Sequence, residues 1–249
     1  MEHHVYDEFH NLEKSHWWFR GRRAYLDKII NKFVDCSNSI DTKFCEVGSG
    51  TGGNLTLLTK FSSTVDCIEM NDHARSIIVN KNIKGVDNIY SGHLPDNIEL
   101  LEKYDAVFCL DVIEHIDDDF KSVKRLKDLI KNNGVLIATV PAYQWLWSAH
   151  DVANHHKRRY TKTTFLELFQ NNDFEVIYCS YFNSILLPLA IIDRIINKFK
   201  NSTDKATLNQ PIKLINHFFY KIFQIEALWA GKLSALFGLS VVIVARQKY

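Results

Sequence analysis

The 249-residue sequence has few of the features that mark a secreted, zinc-binding or membrane-spanning protein. Its five cysteines are odd in number and form no Cys-x-x-Cys pair, which argues against a zinc knuckle and a disulfide framework. The longest apolar run, Ile185 to Ile192, contains a proline and is about ten residues too short to cross a bilayer. The first 16 residues are polar and charged, so no secretory leader is visible. We therefore expect a cytoplasmic protein.

The sequence also lacks an excess of either charge, because 30 Lys and Arg residues nearly balance 29 Asp and Glu residues for a formal net charge of +1. That balance argues against a nucleic-acid partner. Hydrophobic residues make up 46% of the chain and charged residues 24%, as in ordinary globular proteins. The length favours one α/β domain with an elaboration over two independent domains.

The stretch from Phe44 to Gly53 predicts a short strand, a glycine turn and the start of a helix. Its glycines permit the positive φ angles of a tight turn and let a ligand rest on the backbone. Gly48, Gly50 and Gly53 also satisfy the G-x-G-x-x-G fingerprint, so the glycines alone leave two alternatives. One is a nicotinamide or flavin dinucleotide, and the other is S-adenosylmethionine.

Two glutamates decide between these cofactors. Glu46 lies two residues before the first glycine, where it suits a cationic ligand better than an anionic pyrophosphate. Glu69 ends a predicted strand, Thr64 to Glu69, and lies 21 positions beyond Gly48. An acid at that position accepts hydrogen bonds from ribose hydroxyls in folds of this kind. The pair favours S-adenosylmethionine, which carries an ammonium and a sulfonium and no phosphate.

Glu46 to Gly52 resembles the first motif of the class I S-adenosylmethionine-dependent methyltransferases, (D/E)-x-G-x-G-x-G. The resemblance implies an α/β fold, a Rossmann-like, doubly wound, seven-stranded sheet whose last strand is antiparallel. Gly92 and His93 stand where family members often place an aspartate beside the adenine, which is a departure from the pattern. The implied cofactor-binding residues are Glu46, Gly48, Ser49, Gly50, Gly52, Glu69, Met70, His93, Leu94, Leu110 and Asp111.

Hydrophobic periodicity and turn signals place the elements of this fold along the chain. Helices are expected over 54–61, 73–82, 118–131 and 161–170, with Gly134 closing the third of these. The strands are expected near 44–47, 64–69, 88–91, 135–141, 174–181 and 239–246, and the fourth strand is expected within 104–115, where it runs into a loop.

Histidines in the loops after the fourth and fifth strands are the candidate catalytic bases, because imidazole titrates near neutral pH. They are His115, His150 and His156, with His155 beside them. The run Asp111-Val-Ile-Glu-His115 and the pair His150-Asp151 resemble the ubiquinone-biosynthesis O-methyltransferases. The same loops more distantly resemble the small-RNA ribose O-methyltransferases. That second resemblance implies a Mg²⁺ or Mn²⁺ site at Asp111, Glu114, His115 and His156.

Two segments flank this core. We expect an N-terminal helical cap over 1–40, a cofactor-binding core over 41–182, a helical insert over 183–237 and a final core strand over 238–249. The aromatic and arginine-rich segment from His16 to Arg23 is either a hinge that docks the cap or a lid over the site. Three alternatives fit the insert: an extra helical layer, a lid over a hydrophobic acceptor, or a peripheral membrane contact.

The sequence therefore predicts an S-adenosylmethionine-dependent methyltransferase that O-methylates a small hydrophobic, aromatic or lipid-linked molecule. The enzymatic alternative is an NAD(P)-dependent oxidoreductase on the same glycine turn, although the chain lacks a recognisable Tyr-x-x-x-Lys pair. The non-enzymatic alternative is a protein that kept the fold and docks on a membrane or a partner through its insert.

Overall fold

A computed structural model describes residues 3–37, 41–98, 103–200 and 211–248, with the backbone alone given for 196–200. Seven strands form one sheet in the order β3-β2-β1-β4-β5-β7-β6. The last strand, β7, runs antiparallel to both of its neighbours, whereas the other pairs are parallel. The strands are β1 Lys43–Val47, β2 Thr64–Glu69, β3 Val86–Ser91, β4 Tyr104–Leu110, β5 Ile130–Pro141, β6 Phe174–Phe182 and β7 Ser240–Gln247. This is the predicted fold.

Helices cover both faces of the sheet, because the central strands are apolar on both sides. One face packs on α5 and α7 through Val123, Leu126, Phe165 and Phe169. The opposite face packs on α2, α4 and α9 through residues such as Ile29, Ile78 and Phe223. The helices are α1 His3–Leu12, α2 Trp17–Phe33, α3 Leu55–Leu58, α4 Asp72–Lys81, α5 Asp119–Asp128, α6 Ala149–Ala153, α7 Lys162–Gln170, α8 Leu187–Lys200 and α9 Lys213–Ala227.

The strand order reverses between β1 and β4, which lie side by side at the centre of the sheet. The carboxyl ends of β1, β2, β4 and β5 all point to one edge, and the crevice outside a reversal point is where open α/β sheets bind ligands. The topology therefore brings the glycine turn, Glu69 and the loops after β4 and β5 together.

Four predicted elements had wrong boundaries. The helix expected to reach residue 131 ends at Asp128, and β5 already begins at Ile130. Gly134 therefore lies inside a strand, where an added Cβ would come within 2.7 Å of the Tyr104 carbonyl oxygen. The helix expected over 54–61 contracts to Leu55–Leu58 between turns, and β3 begins two residues early, at Val86.

The N-terminal cap and the insert pack on each other. The aromatic and arginine-rich segment forms the first turns of α2. His16 caps the N-terminus of this helix by accepting a hydrogen bond from the Trp18 backbone N–H at 3.2 Å. Asn216 of α9 accepts a hydrogen bond from the Trp17 backbone N–H at 2.8 Å and donates one to the Ser15 carbonyl at 2.9 Å. Ring centroids of Trp17 and Phe219 lie 5.4 Å apart. The second insert helix thus belongs to the helical layer on the sheet.

Among the helices that the described ranges contain, none combines the length and the apolar character that a membrane crossing requires.

Candidate active site

A cavity of about 1620 Å³ opens at the carboxyl ends of the strands. Ligand pockets commonly measure about 300–1,000 Å³, so this one has room for a cofactor and a second molecule. Its floor is the glycine turn and Glu69, one wall is the loops after β4 and β5, and its roof is α1 and α2. Residues of α8 close the outer side.

The glycine turn has the geometry that its sequence predicts. Gly48 and Gly50 have φ angles of 74° and 54°, in the left-handed region that favours glycine. A Cβ on Gly48 would come within 2.5 Å of a Val112 methyl carbon, whereas a Cβ on Gly50 would meet nothing within 4 Å. Gly48 therefore allows the turn to pack on the neighbouring loop, and Gly50 leaves space free on the cavity side.

The Glu69 carboxylate holds the turn from the next strand. Its oxygens accept hydrogen bonds from the backbone N–H groups of Gly50 at 2.8 Å and Asn71 at 2.9 Å. Burial raises the pKa of Glu69, and these hydrogen bonds oppose that rise. A carboxylate has about four lone-pair sites, so two acceptor positions are left for a ligand in the cavity.

Glu46 lies one layer below the cavity rather than in its lining. One oxygen accepts a hydrogen bond from the Asn54 side chain at 2.8 Å, and Asn54 does line the cavity. The other oxygen is buried and has no hydrogen-bond partner in the described part of the chain. Burial raises the pKa of Glu46 to about 7, despite the lowering effect of Asn54 and of the Arg22 charge.

Nine of the eleven predicted cofactor residues line the cavity, and the exceptions are Glu46 and Gly52. Gly52, at φ 77°, faces Leu55 and Ile78 and shapes the turn from behind. The nine lining residues are Gly48, Ser49, Gly50, Glu69, Met70, His93, Leu94, Leu110 and Asp111.

Arg22 is a site residue that the sequence analysis missed. Its guanidinium is 2.9 Å from both Asp111 Oδ2 and the Thr139 hydroxyl, and that hydroxyl donates to Asp111 Oδ1. The Arg22 Nε is buried and makes no hydrogen bond to any described residue. The Arg22 side chain is part of the cavity lining. The arginines packed among Trp17, Trp18 and Phe19 were the available signal for an inward-facing charge.

The same ion pair corrects the predicted metal set. Asp111 is held by Arg22 and Thr139 and falls outside the group of potential ligand atoms. The group that the described residues do form is Glu114, His115 and His156, whose ligand atoms all lie within 4.8 Å of one another. Both Asp111 oxygens already have partners, Arg22 and the Thr139 hydroxyl.

Glu114 is fully buried, and neither of its carboxyl oxygens has a hydrogen-bond partner among the residues that the structure describes. Burial raises the pKa of Glu114 well above its usual value, and the neighbouring Asp111 charge raises it further. The rings of His115 and His156 are perpendicular, with centroids 4.6 Å apart. Burial, followed by the influence of His156, lowers the pKa of His115 to about 4, so His115 is neutral at pH 7.

Asp151 orients His156. Its Oδ1 lies 2.8 Å from His156 Nδ1, and Arg159 donates to its two oxygens at 2.7 and 2.9 Å. These hydrogen bonds hold the pKa of Asp151 well below its usual range, although burial alone would raise it. An ionised carboxylate can only accept, so Nδ1 carries the proton and Nε2 of a neutral His156 keeps a free lone pair.

The other predicted histidines differ from each other. His150 lines the cavity with its ring centroid 6.3 Å from that of His156, and burial lowers its pKa to about 4. His155 is exposed and is not part of the cavity lining. The loops after β4 and β5 thus bring His115, His150 and His156 together, as predicted, and leave His155 outside.

The cap forms the roof through aromatic side chains, among them Phe9, Trp17 and Trp18. Glu13, between α1 and α2, is buried and anchors this roof to the glycine turn by accepting a hydrogen bond from the Thr51 hydroxyl at 2.8 Å. Arg22 lies 5.2 Å above the Trp18 ring. The aromatic and arginine-rich segment therefore docks the cap and covers the site at once.

Comparison with known proteins agrees with this geometry. A family profile described as "Methyltransferase domain" matches residues 18–178, which is more than half of the chain. The ubiquinone biosynthesis O-methyltransferase of Rickettsia bellii is 32% identical over 150 residues, covering 53% of this chain and 60% of the relative. The chain thus matches less than two thirds of that relative's length.

Solved methyltransferases share the fold at low identity. An S-adenosylmethionine-dependent methyltransferase from Clostridium acetobutylicum superposes with a TM-score of 0.60 at 12% identity, covering 99% of this chain and 97% of that one. A phosphoethanolamine N-methyltransferase from Haemonchus contortus, solved with S-adenosylhomocysteine, gives a TM-score of 0.58 at 12% identity, with 90% and 52% covered.

The fold and the cavity define a class I, Rossmann-like α/β enzyme. The chain belongs to the methyltransferase domain family, and S-adenosylmethionine is its cofactor. This membership confirms the predicted class of S-adenosylmethionine-dependent methyltransferase.

Proposed function

We propose that the enzyme transfers a methyl group to a hydroxyl oxygen of a small hydrophobic, aromatic or lipid-linked acceptor. The observation that carries the proposal is His156, whose tautomer Asp151 fixes beside Glu114 in the cavity. An oxygen acceptor must lose its proton to become a good nucleophile, and a neutral imidazole with a free Nε2 suits that task. The R. bellii relative is named as an O-methyltransferase, which supports the same choice.

The amino-acid end of the cofactor is expected between Arg22 and Glu46. Arg22 lines the cavity, and its Nε has no hydrogen-bond partner among the described residues, so it is the donor that we assign to the carboxylate of the methionyl group. The Glu46 carboxyl lies beneath the turn, close enough to Arg22 to feel its charge, and attracts the methionyl ammonium. Glu69 has acceptor positions left for the ribose hydroxyls, and Met70, His93 and Leu94 border the adenine side.

The reaction then requires one proton transfer and one displacement. His156 Nε2 takes the acceptor's hydroxyl proton while the oxygen attacks the methyl carbon in line with the carbon–sulfur bond. The bond to sulfur breaks, its electron pair stays on sulfur, and S-adenosylhomocysteine leaves as a neutral thioether. The Asp151 and Arg159 pair keeps His156 oriented and stabilises the imidazolium that forms.

Glu114, His115 and His156 fit a divalent metal as well. Their ligand atoms lie within 4.8 Å of one another, and Asp151 supports His156 as outer-sphere carboxylates support metal-bound histidines. An ion on His156 Nε2 would occupy the lone pair that takes the proton, so the metal is an alternative to the base mechanism. Two imidazoles and one carboxylate favour Mn²⁺ over Mg²⁺, because Mg²⁺ prefers oxygen ligands. When bound, the ion would act as a Lewis acid that lowers the pKa of the acceptor hydroxyl.

The acceptor side of the cavity has an aromatic wall. Trp145, which is 63% exposed, and Trp147 lie at the mouth, and Trp18 lies on the roof. Flat aromatic side chains offer large apolar area to a ring or an alkyl chain. We therefore propose an aromatic hydroxyl compound with an apolar tail as the acceptor class. The division into cap (1–40), core (41–182), insert (183–237) and final strand (238–249) remains part of the proposal.

The test is a screen for S-adenosylhomocysteine release with phenols and catechols that do and do not carry an alkyl tail. We expect activity with a tailed catechol and a drop of about 10²–10⁴-fold in His156→Ala. His155→Ala is the matched control and should stay close to wild type, because His155 is exposed outside the cavity. Equal activity of both variants would refute the role of His156.

Metal dependence is tested in the same assay. If a metal rather than a free imidazole serves the reaction, EDTA treatment abolishes activity and Mn²⁺ restores it more fully than Mg²⁺. Direct binding of Mn²⁺ by electron paramagnetic resonance, lost in Glu114→Gln, gives a readout that does not depend on turnover. Full activity after EDTA treatment would leave His156 as the base without a metal.

A further inference from the structure

The insert carries most of the exposed apolar surface of the protein. Fourteen of the nineteen large hydrophobic side chains that are exposed in the described ranges lie between residues 183 and 237. Scattered exposed hydrophobic residues are ordinary on a protein surface, but a concentration of this kind marks an interaction surface. Leu214 and Leu236, for example, are 78% and 81% exposed.

Helix α9 has apolar residues on two opposite faces, one buried and one exposed. Its inward face, with Phe223 and Ala227, is buried in the core, and Asn216 caps α2 from the same side. At 100° per residue, Leu214, Phe218 and Ile225 fall within an arc of about 40° on the opposite side. All three are exposed, at 78%, 58% and 51%. These three side chains, the outward stripe of α9, therefore do not contribute to packing of the core.

Helix α8 presents a second stripe, formed by Leu189, Ile192 and Ile195 at a spacing of three residues. Between 49% and 53% of each of these side chains is exposed. The same helix lines the cavity through Ala190 and Arg194, so the apolar surface begins at the mouth of the active site.

The charges of the insert are mostly positive. The basic residues whose side chains are described are Arg194, Lys213, Lys221 and Lys232, and the acids are Glu226 and Asp193, which pairs with Arg194 at 3.2 Å. Glu226 is buried, where it accepts hydrogen bonds from the backbone N–H groups of Ser184 and Ile185. On α9, Lys221 falls beside the outward stripe, a position from which a lysine can extend toward an anionic headgroup.

We propose that the outward faces of α8 and α9 dock on an anionic lipid bilayer and lie in its interface. An apolar stripe flanked by lysines is the pattern of interfacial helices, and a surplus of basic side chains attracts anionic headgroups. The same surplus disfavours a second copy of this chain as the occupant, because two identical basic surfaces repel each other. Docking would bring the mouth of the cavity to the membrane, where a tailed acceptor could enter.

The experiment is co-sedimentation of the full chain with phosphatidylcholine vesicles that contain about one third phosphatidylglycerol, in the absence of cofactor and acceptor. We expect binding that falls with added salt and is much weaker on pure phosphatidylcholine. The double variant Ile192→Glu/Phe218→Glu should bind at least tenfold less, because two apolar anchors are lost. Val79→Glu, at a 60% exposed valine of α4, is the matched control and should bind like wild type.

A second pair of variants separates charge from apolar contact. Lys213→Gln and Lys221→Gln should each weaken binding to the anionic vesicles by roughly fivefold and leave the weak binding to phosphatidylcholine unchanged. S-adenosylhomocysteine binding by the Ile192→Glu/Phe218→Glu variant should match wild type, which separates this result from the proposed function. Binding that is absent in wild type, or equal in the double variant and the control, would overturn the proposal. A dimer in solution that the double variant converts to monomer would assign the surface to a second copy instead.

Discussion

The buried carboxyl of Glu46 predicts a specific pH dependence of cofactor binding. Its pKa of about 7 in the free protein means that it is half protonated at pH 7. The ammonium of S-adenosylhomocysteine favours the ionised form. At an effective dielectric constant of about 20 and a separation of roughly 6 Å, the attraction is about 3 kcal/mol. That energy corresponds to about two pKa units, so the pKa falls to about 5 on binding.

The direction of this pH dependence follows from the linkage between proton release and cofactor binding. Below pH 7 the free protein must release a proton from Glu46 before it binds the ammonium well, so affinity rises with pH and levels off above pH 7. The ionised fraction is about one tenth at pH 6 and about nine tenths at pH 8, which predicts roughly tenfold tighter binding at pH 8. The charged groups that act on Glu46 are Arg22, Glu69 and Glu13.

Isothermal titration calorimetry with S-adenosylhomocysteine at pH 6, 7 and 8 measures this dependence. Glu46→Gln should bind with nearly constant affinity across the range, about a hundredfold below the high-pH affinity of wild type, because the whole attraction of about 3 kcal/mol is lost. Glu69→Gln removes an acid that raises the pKa of Glu46, so it should bind less tightly and move the pH dependence to lower pH without abolishing it. A flat wild-type profile, or a slope that persists in Glu46→Gln, would refute the electrostatic role of Glu46.

Three further predictions concern the turn, the roof and the cap. Gly48→Ala should lower the melting temperature of the free protein, because the new methyl group would clash with Val112. Gly50→Ala should cost only about 1–2 kcal/mol of backbone strain, but it should raise the dissociation constant for S-adenosylhomocysteine. Arg22→Lys keeps the charge beside Asp111 but loses the Nε donor, so calorimetry should show about tenfold weaker S-adenosylhomocysteine binding, and unchanged affinity would contradict the assignment. Asn216→Ala removes the side chain that pairs with the Trp17 N–H and the Ser15 carbonyl, and it should lower the free energy of unfolding in urea by about 1–3 kcal/mol. Asn31→Ala, at an exposed position on α2, is the control and should change the free energy of unfolding little.

The cofactor half of the site could be predicted because its determinants are local in sequence. The turn at Gly48 and Gly50 needs glycine for steric reasons. Glu69 is the last residue of β2, and the topology of the sheet fixes where that strand ends. The depth of Glu46 could not be predicted, because the pleat and the Asn54 side chain decide whether its carboxyl reaches the cavity.

The acceptor half depends on contacts between distant segments, which no spacing rule encodes. Asp111 has the residue type and position of a metal ligand, but Arg22, 89 positions earlier, neutralises it. Asn216 on α9 caps a helix that begins at Trp17, 199 positions away. The register shift in β5 that places Gly134 inside the strand likewise depends on its pairing with β4. Local patterns predicted the elements, whereas these tertiary contacts determined the assignments that failed.

The hydrogen bonds between Asn216 and the start of α2 have a consequence for synthesis of the chain. Because proteins emerge from the ribosome with the N-terminus first, α2 leaves the ribosome about two hundred residues before the helix that caps it. The roof over the glycine turn can therefore become fully ordered only after α9 has been made. We expect nascent chains that stop short of residue 216 to retain cofactor poorly even where β1 to β5 have paired, so cofactor retention would report completion of the polypeptide.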